Sequence, residues 1–177
     1  PEFRLTLVEG LTLAGLPDAS EPVRLYRMNR LVPLASVSSA RIREALDLAQ
    51  QWYAANQKEN GLFPYLYDPL ADEEIAERHL LRATLNAAAL GTLWRHTQTE
   101  AVRTMGLKAL DRLFAEHYLE DPDRGFGYLR EPDRPVTLGG AAAGLYAILE
   151  LRADEAPARF REQAEKLAHF LQAMRRE

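Results

Sequence analysis

The stretch GLFPYLYDP (residues 61–69) decides how this chain is read, because GFGYLREP (residues 125–132) echoes it sixty-three residues later. Written as F-x-Y-L-x-[DE]-P, the shared positions are Phe63, Tyr65, Leu66, Asp68 and Pro69, then Phe126, Tyr128, Leu129, Glu131 and Pro132. The flanks repeat as well. Ala45-Leu46-Asp47 matches Ala109-Leu110-Asp111 at a shift of sixty-four, Gly61 falls on Gly125 at the same shift, and the aromatic motif follows with one residue deleted. Both copies then run into an Ala triplet, at 87–89 and 141–143. The implied unit is an amphipathic outer helix, a Gly-aromatic loop and an inner helix rich in small residues. Such a pair cannot bury its inner face alone and must stack on a neighbour.

Hydrophobic periodicity fills in the elements. Ser39 suits the cap of a helix that presents Ile42, Leu46, Ala49 and Trp52 or Tyr53 on one face. Arg41, Arg43, Glu44, Asp47 and Gln51 take the other face. A second helix is expected to start after Asp72 and to end near His96, with Asp72, Glu73 and Glu74 offsetting the dipole of its first turn. Its LNAAALGTLW segment (residues 85–94) is apolar nearly all round, which predicts burial on most sides. Three more helices are read over about residues 99–117, 137–151 and 156–175. The first 38 residues behave differently. Phe3, Leu5 and Leu7 alternate with polar neighbours, as Val23 and Leu25 do around Arg24, and GLPDASEP (residues 15–22) between them is turn chemistry. The expected fold is therefore mainly α, about five helices in antiparallel pairs, with a short N-terminal β-hairpin. Residues 1–38 form that β element or the remnant of a preceding domain, and residues 39–177 form the helical-hairpin repeat domain.

Composition excludes several functions. A net charge of −4 leaves no basic excess for a nucleic-acid partner, and Arg24, Arg27 and Arg30 are too few and too dispersed to make a patch. The absence of cysteine removes disulfides, thiolate metal sites and thiol nucleophiles, and is compatible with cytoplasm or periplasm alike. No apolar run approaches the ~18 residues of a membrane span. H-E-x-x-H, P-loop, G-x-G-x-x-G and G-x-S-x-G patterns are absent, and His96, His117 and His169 have no metal-ligand spacing, so neither metal nor cofactor is expected. DPDRG (residues 121–125) has the look of a calcium-loop fragment but lacks the later ligands, and is read as a turn. The start Pro1-Glu2-Phe3 is set aside as a vector remnant.

The helix pairs joined by G-x-F-x-Y loops resemble the α/α-toroid proteins, in particular the six-hairpin glycosidase-like group and the C-terminal domain of glucuronyl C5-epimerases. The resemblance rests on GLFPYLYDP, HLLRATLNAAALGTLW (residues 79–94) and GFGYLREP, and covers about residues 40–177. A closed toroid takes about six pairs where this chain has two and a half. Either the remaining pairs belong to a longer protein or this is a short array that never closes. Catalytic members of the family act on sugars and uronates at the barrel mouth, where loops enter the inner helices. The resemblance thus implies a domain that binds or processes an oligosaccharide or polysaccharide.

At that mouth the candidates are Tyr65, Tyr67 and Asp68 from the first loop, and Tyr128, Arg130 and Glu131 from the second. Aromatic rings stack on a pyranose while charged groups bond its hydroxyls and carboxylates. Asp68 and Glu131 form the candidate acid–base pair for hydrolysis, which needs carboxyls ~5 to ~9.5 Å apart. His79, Arg82 and Asn86, at i, i+3 and i+7, place three polar groups on one face of the second helix. His79 or a tyrosine is the candidate proton-transfer group of an epimerase or lyase, and Arg82 or Arg130 the candidate clamp for a uronate carboxylate. A plainer reading stands beside this one. The aromatics plug gaps between helix pairs, the prolines fix the loop ends, and Arg82 pairs structurally with Asp68 or Glu131. The protein is then a non-catalytic scaffold or interaction domain. Geometry separates the two: Tyr65, Asp68, His79, Arg82, Tyr128 and Glu131 either converge on one concavity or do not. An unfinished array also predicts inner-helix surface left exposed or covered by a second copy, as in a homodimer.

Overall fold

The α2–α3 junction sets the direction of the whole array. Gln98 adopts a left-handed conformation, φ 55°, and only Gln98 and Thr99 separate helix α2 (Leu80–Thr97) from helix α3 (Glu100–His117). So short a link forces the two helices antiparallel. The computed structural model describes residues 12–14, 23–26, 29–30, 32–77, 79–132, 134–152 and 158–175. They fall into two compact units, residues 1–45 and 46–177. The remaining helices are α1 (Ser39–Asn56), which the unit boundary crosses, α4 (Leu138–Glu150) and α5 (Ala158–Ala173). The described chain is mainly α, with five helices and a short antiparallel N-terminal sheet.

In the first unit, β1 (Thr12–Ala14), β2 (Val23–Tyr26) and β3 (Asn29–Arg30) pair antiparallel in that order, with Thr12 opposite Leu25 and Leu25 opposite Arg30. Val23 and Leu25 are thus strand residues as expected. The Phe3–Leu5–Leu7 alternation and the GLPDASEP turn lie outside the described residues. Ser38 caps α1 in place of Ser39, its Oγ accepting from the Arg41 N–H at 3.2 Å.

The second unit is built around α2, which packs on both α3 and α4, while α5 closes over α4. Leu80, Ala87, Ala88, Leu110, Leu113, Ala141, Ala147, Ile148, Phe160 and Leu167 are buried together, so both Ala-rich helices line the core. Small residues permit this closeness. A Cβ on Gly91 would sit 2.7 Å from the Glu150 carbonyl carbon, well inside van der Waals contact. Glu150 reaches back to α2, accepting from Thr92 Oγ1 and Arg95 Nη1, each at 2.8 Å. In α5, Phe160, Ala164, Leu167 and Phe170 form the buried stripe.

Two expectations need correction. The second helix begins at Leu80 and not after Asp72. Glu73 and Glu74 instead lie in strand β5 (Glu73–Ile75), paired antiparallel with β4 (Leu66–Asp68), and Asp72 takes φ 56° in the turn between them. The acidic cluster is therefore hairpin and not helix cap. Burial of α2 on most sides does hold, since within residues 85–94 only Leu85 and Ala89 are exposed. On α1 the expected buried stripe only half forms. Leu46, Ala49 and, of the two aromatic alternatives, Tyr53 pack against Leu90, Leu93 and Val102, whereas Ile42 is 52% exposed.

The loops repeat, though not at the register of the quoted motif. A second hairpin, β6 (Tyr118–Asp121) with β7 (Phe126–Leu129), joins α3 to α4 as β4–β5 joins α1 to α2. In it F-G-Y-L is the outgoing strand, whereas Leu66–Asp68 of the first copy is the incoming one. The equivalent segments are the turns DPLAD (residues 68–72) and DPDRG (residues 121–125), fifty-three residues apart. Asp68 Oδ1 accepts from the N–H groups of Leu70 and Ala71 at 2.8 and 3.2 Å, and Asp121 Oδ1 from that of Arg124 at 3.2 Å. Each turn closes on a left-handed residue, Asp72 or Gly125. The Ala triplets follow at nearly the same spacing, fifty-four residues.

Candidate functional site

Antiparallel alternation puts the two hairpin-bearing connections at one end of the helices, and a cleft of about 540 Å³ opens between them. Its apolar floor is Leu62, Leu80 and Leu113, all buried, with Phe63 and Ala83 beside them. The near wall is residues 57–65. Gln57 Nε2 donates to the carbonyls of Gly61 and Met105 at 2.8 and 2.9 Å, tying this loop to α3, and Asn60 Oδ1 accepts from the Leu62 N–H at 3.0 Å. Gly61, at φ 88°, lies against the Lys108 backbone, where any side chain would collide. That anchoring sets Lys58, Asn60, Phe63 and Tyr65 on the cleft.

His79 is the residue before α2, with extended backbone, φ −141° and ψ 108°. It lines the cleft beside Tyr65, ring centroids 5.9 Å apart. Its Nδ1 is buried and has no hydrogen-bond partner among the described residues, a state that a ligand group or ordered water would relieve. Asn86, two turns into α2, lines the same wall.

Glu131 enters from the second loop. Its Oε1 accepts from the Leu80 N–H at 3.0 Å and its Oε2 lies 3.3 Å from Arg134 Nε. A carboxylate here satisfies an orphan donor of α2 and meets the positive end of its dipole. Glu131 is therefore a cleft residue and an N-terminal cap at once. His117, the last residue of α3, completes the far side, with Nδ1 3.3 Å from the Arg130 carbonyl oxygen.

Of the nine candidate residues, Tyr65, His79, Asn86 and Glu131 meet in this cleft and five do not line it. Asp68 turns its carboxylate back onto its own loop, so it does not face Glu131 as an acid–base partner. Tyr67 is exposed and donates its hydroxyl to Asp72, a bond that raises the phenol pKa above its ordinary value. Tyr128 is half-buried against Phe170, with centroids 5.9 Å apart, so this aromatic fills a gap between elements. Phe63 does likewise between Trp52 and Tyr53, and Phe126 against Phe170. Arg82 is exposed on the first turn of α2, which starts at Leu80. His79 is then off the helix, and the face toward the cleft is Leu80, Ala83 and Asn86. Arg130 is exposed and presents only its backbone to His117, and the cation beside Glu131 is Arg134, not Arg82.

Lys58, Glu74, Glu77, His117 and Arg134 are cleft residues that pattern reading passed over. A signal existed for His117, which ends α3 at the same end as both motifs. Glu74 was misplaced by the late start of α2, and its partner across the cleft is Lys58. Among the described residues no cluster of His, Asp and Glu is arranged to hold a metal ion, and no helix is long and apolar enough to cross a membrane. Comparison of the chain with protein-family models, curated proteins and solved structures gives no match.

Proposed function

We propose that this chain is a carbohydrate-binding domain of α/α-toroid type, holding a saccharide in the cleft between its two hairpin loops. One observation carries the proposal: Tyr65, His79, Asn86 and Glu131 come from two loops and an inner helix, yet all line a single cavity. Its volume, about 540 Å³, falls within the roughly 300–1,000 Å³ of small-molecule sites. An apolar floor, an aromatic ring and amide, imidazole and carboxylate groups at the walls suit the alternating faces of a pyranose. The reading is one of binding, because the acid–base pair expected for hydrolysis is not assembled from Asp68 and Glu131: Asp68 is engaged in its own turn. A glycan-array screen with titration of the hits tests the reading. Tyr65→Ala and Asn86→Ala should each weaken a specific saccharide about tenfold with folding intact, while Arg82→Ala should leave affinity unchanged. Absence of saccharide binding to the wild-type chain, or equal affinity in all variants, would refute it.

A second reading draws on a different surface. Leu85, Ala89 and Tyr146 edge an apolar groove of about 450 Å³ on the inner helices, Tyr146 and Leu149 being 47% and 53% exposed. We propose that this stripe serves an interaction or scaffold role, with a second copy of the chain as one occupant. Concentration-dependent sedimentation that Tyr146→Glu abolishes would support it, and a wild-type monomer at all concentrations would exclude the second copy.

A further inference from the structure

We infer that the cleft selects a saccharide carrying a protonated amine, as an amino sugar does, over one carrying a carboxylate. The inference rests on the saccharide reading above and concerns its charge preference. Among the described residues that line the cleft the two cations are already engaged, Lys58 by Glu74 and Arg134 by Glu131. Glu77 is exposed on the same cleft and has no ion-pair partner among the described residues. Counting the imidazoles of His79 and His117 as neutral, the described lining carries three carboxylates against two cations.

The two ligand classes therefore meet different costs. A uronate carboxylate must take Arg134 from Glu131 or Lys58 from Glu74, exposing one carboxylate to another, and disturbing Glu131 also disturbs the cap on Leu80. An ammonium group displaces nothing. It finds Glu77 open and a cleft whose net sign attracts it. The preference is specific in chemistry and modest in size, because Glu77 faces water.

The test is a matched ligand series titrated by calorimetry at a pH where the sugar amine is protonated: glucosamine oligomers, their N-acetylated counterparts and galacturonate oligomers of equal length. The glucosamine oligomer should bind several-fold more tightly than the acetylated one, the uronate oligomer should bind weakest, and added salt should narrow the difference. Glu77→Gln should lower affinity for the glucosamine oligomer by about two- to fivefold relative to the acetylated oligomer. Equal binding of amine and acetylated oligomers, uronate binding as tight as either, or an unaltered ratio in Glu77→Gln overturns the inference while leaving the saccharide reading standing. Failure of every oligomer to bind overturns both. Glu77→Gln removes no hydrogen bond or ion pair among the described residues, so an unchanged thermal transition should accompany it.

Discussion

Asp68 and Glu131 were paired by their places in a repeated motif, and their surroundings give them different work. Asp68 holds a turn through two backbone N–H groups of the next three residues, whereas Glu131 reaches fifty-one positions back along the chain to cap an inner helix. Substitution should separate them. Asp68→Ala should lower stability by about 1 kcal/mol, the usual net value of such bonds, and leave cleft binding intact. Glu131→Ala should cost roughly 0.5–2 kcal/mol, as loss of a helix cap does, and should also weaken ligand binding because it removes a cleft wall. Denaturant titrations with parallel ligand titrations measure both. If Asp68→Ala reduced binding at unchanged stability, the turn assignment would be wrong. Residue type and spacing name the carboxylates but not the direction in which each points. Tyr65 and Tyr128 make the same point: one ring lines the cleft and the other packs on Phe170.

The elements follow from side-chain size as much as from hydrophobic period. Four of the five helices were legible from caps and periodicity to within a few residues, since local pattern and tertiary packing agree there. The start of α2 was not, because Asp72, Glu73 and Glu74 satisfy helix-start rules while Tyr67, Asp72 and Ile75 satisfy a hairpin equally well, and the cross-strand pairing of Leu66 with Ile75 prevails. The repeat was legible only coarsely. F-x-Y-L drew the eye, but hydrophobic motifs recur for many packing reasons, whereas the D-P turns fix backbone geometry and carry the true equivalence. Gly91 offers a test at this scale. Its absent side chain allows α2 to approach the end of α4, so Gly91→Ala should destabilise the protein by about 1–3 kcal/mol through overpacking, even though alanine favours helix in isolation. A thermal transition raised by Gly91→Ala would show that the helices have room to spare.

At the scale of the whole molecule, the helical-hairpin unit is coupled to its neighbour by more than apolar contact. The Glu150 clasp on Thr92 and Arg95 ties one end of the α2–α4 interface, and Glu131 ties α2 near its other end. Repeat proteins commonly gain stability by adding units, each nearly complete in itself. Here the first inner helix lacks the means to finish its own first turn, because His79 supplies no side-chain cap and the acceptor for Leu80 lies beyond α3. The consequence is one of timing and cooperativity. Until the β6–β7 connection has been made and placed, α2 should fray from its start, so the two hairpins should fold as a single unit and not in succession. Amide exchange should report this. The Leu80 N–H should exchange only through global unfolding in the wild type, and through local opening at a rate many-fold faster in Glu131→Ala, while amides near Leu90 retain their protection. A ligand that draws Glu131 toward itself would then loosen the same turn, and occupancy of the cleft would be readable as the exchange rate of one backbone hydrogen.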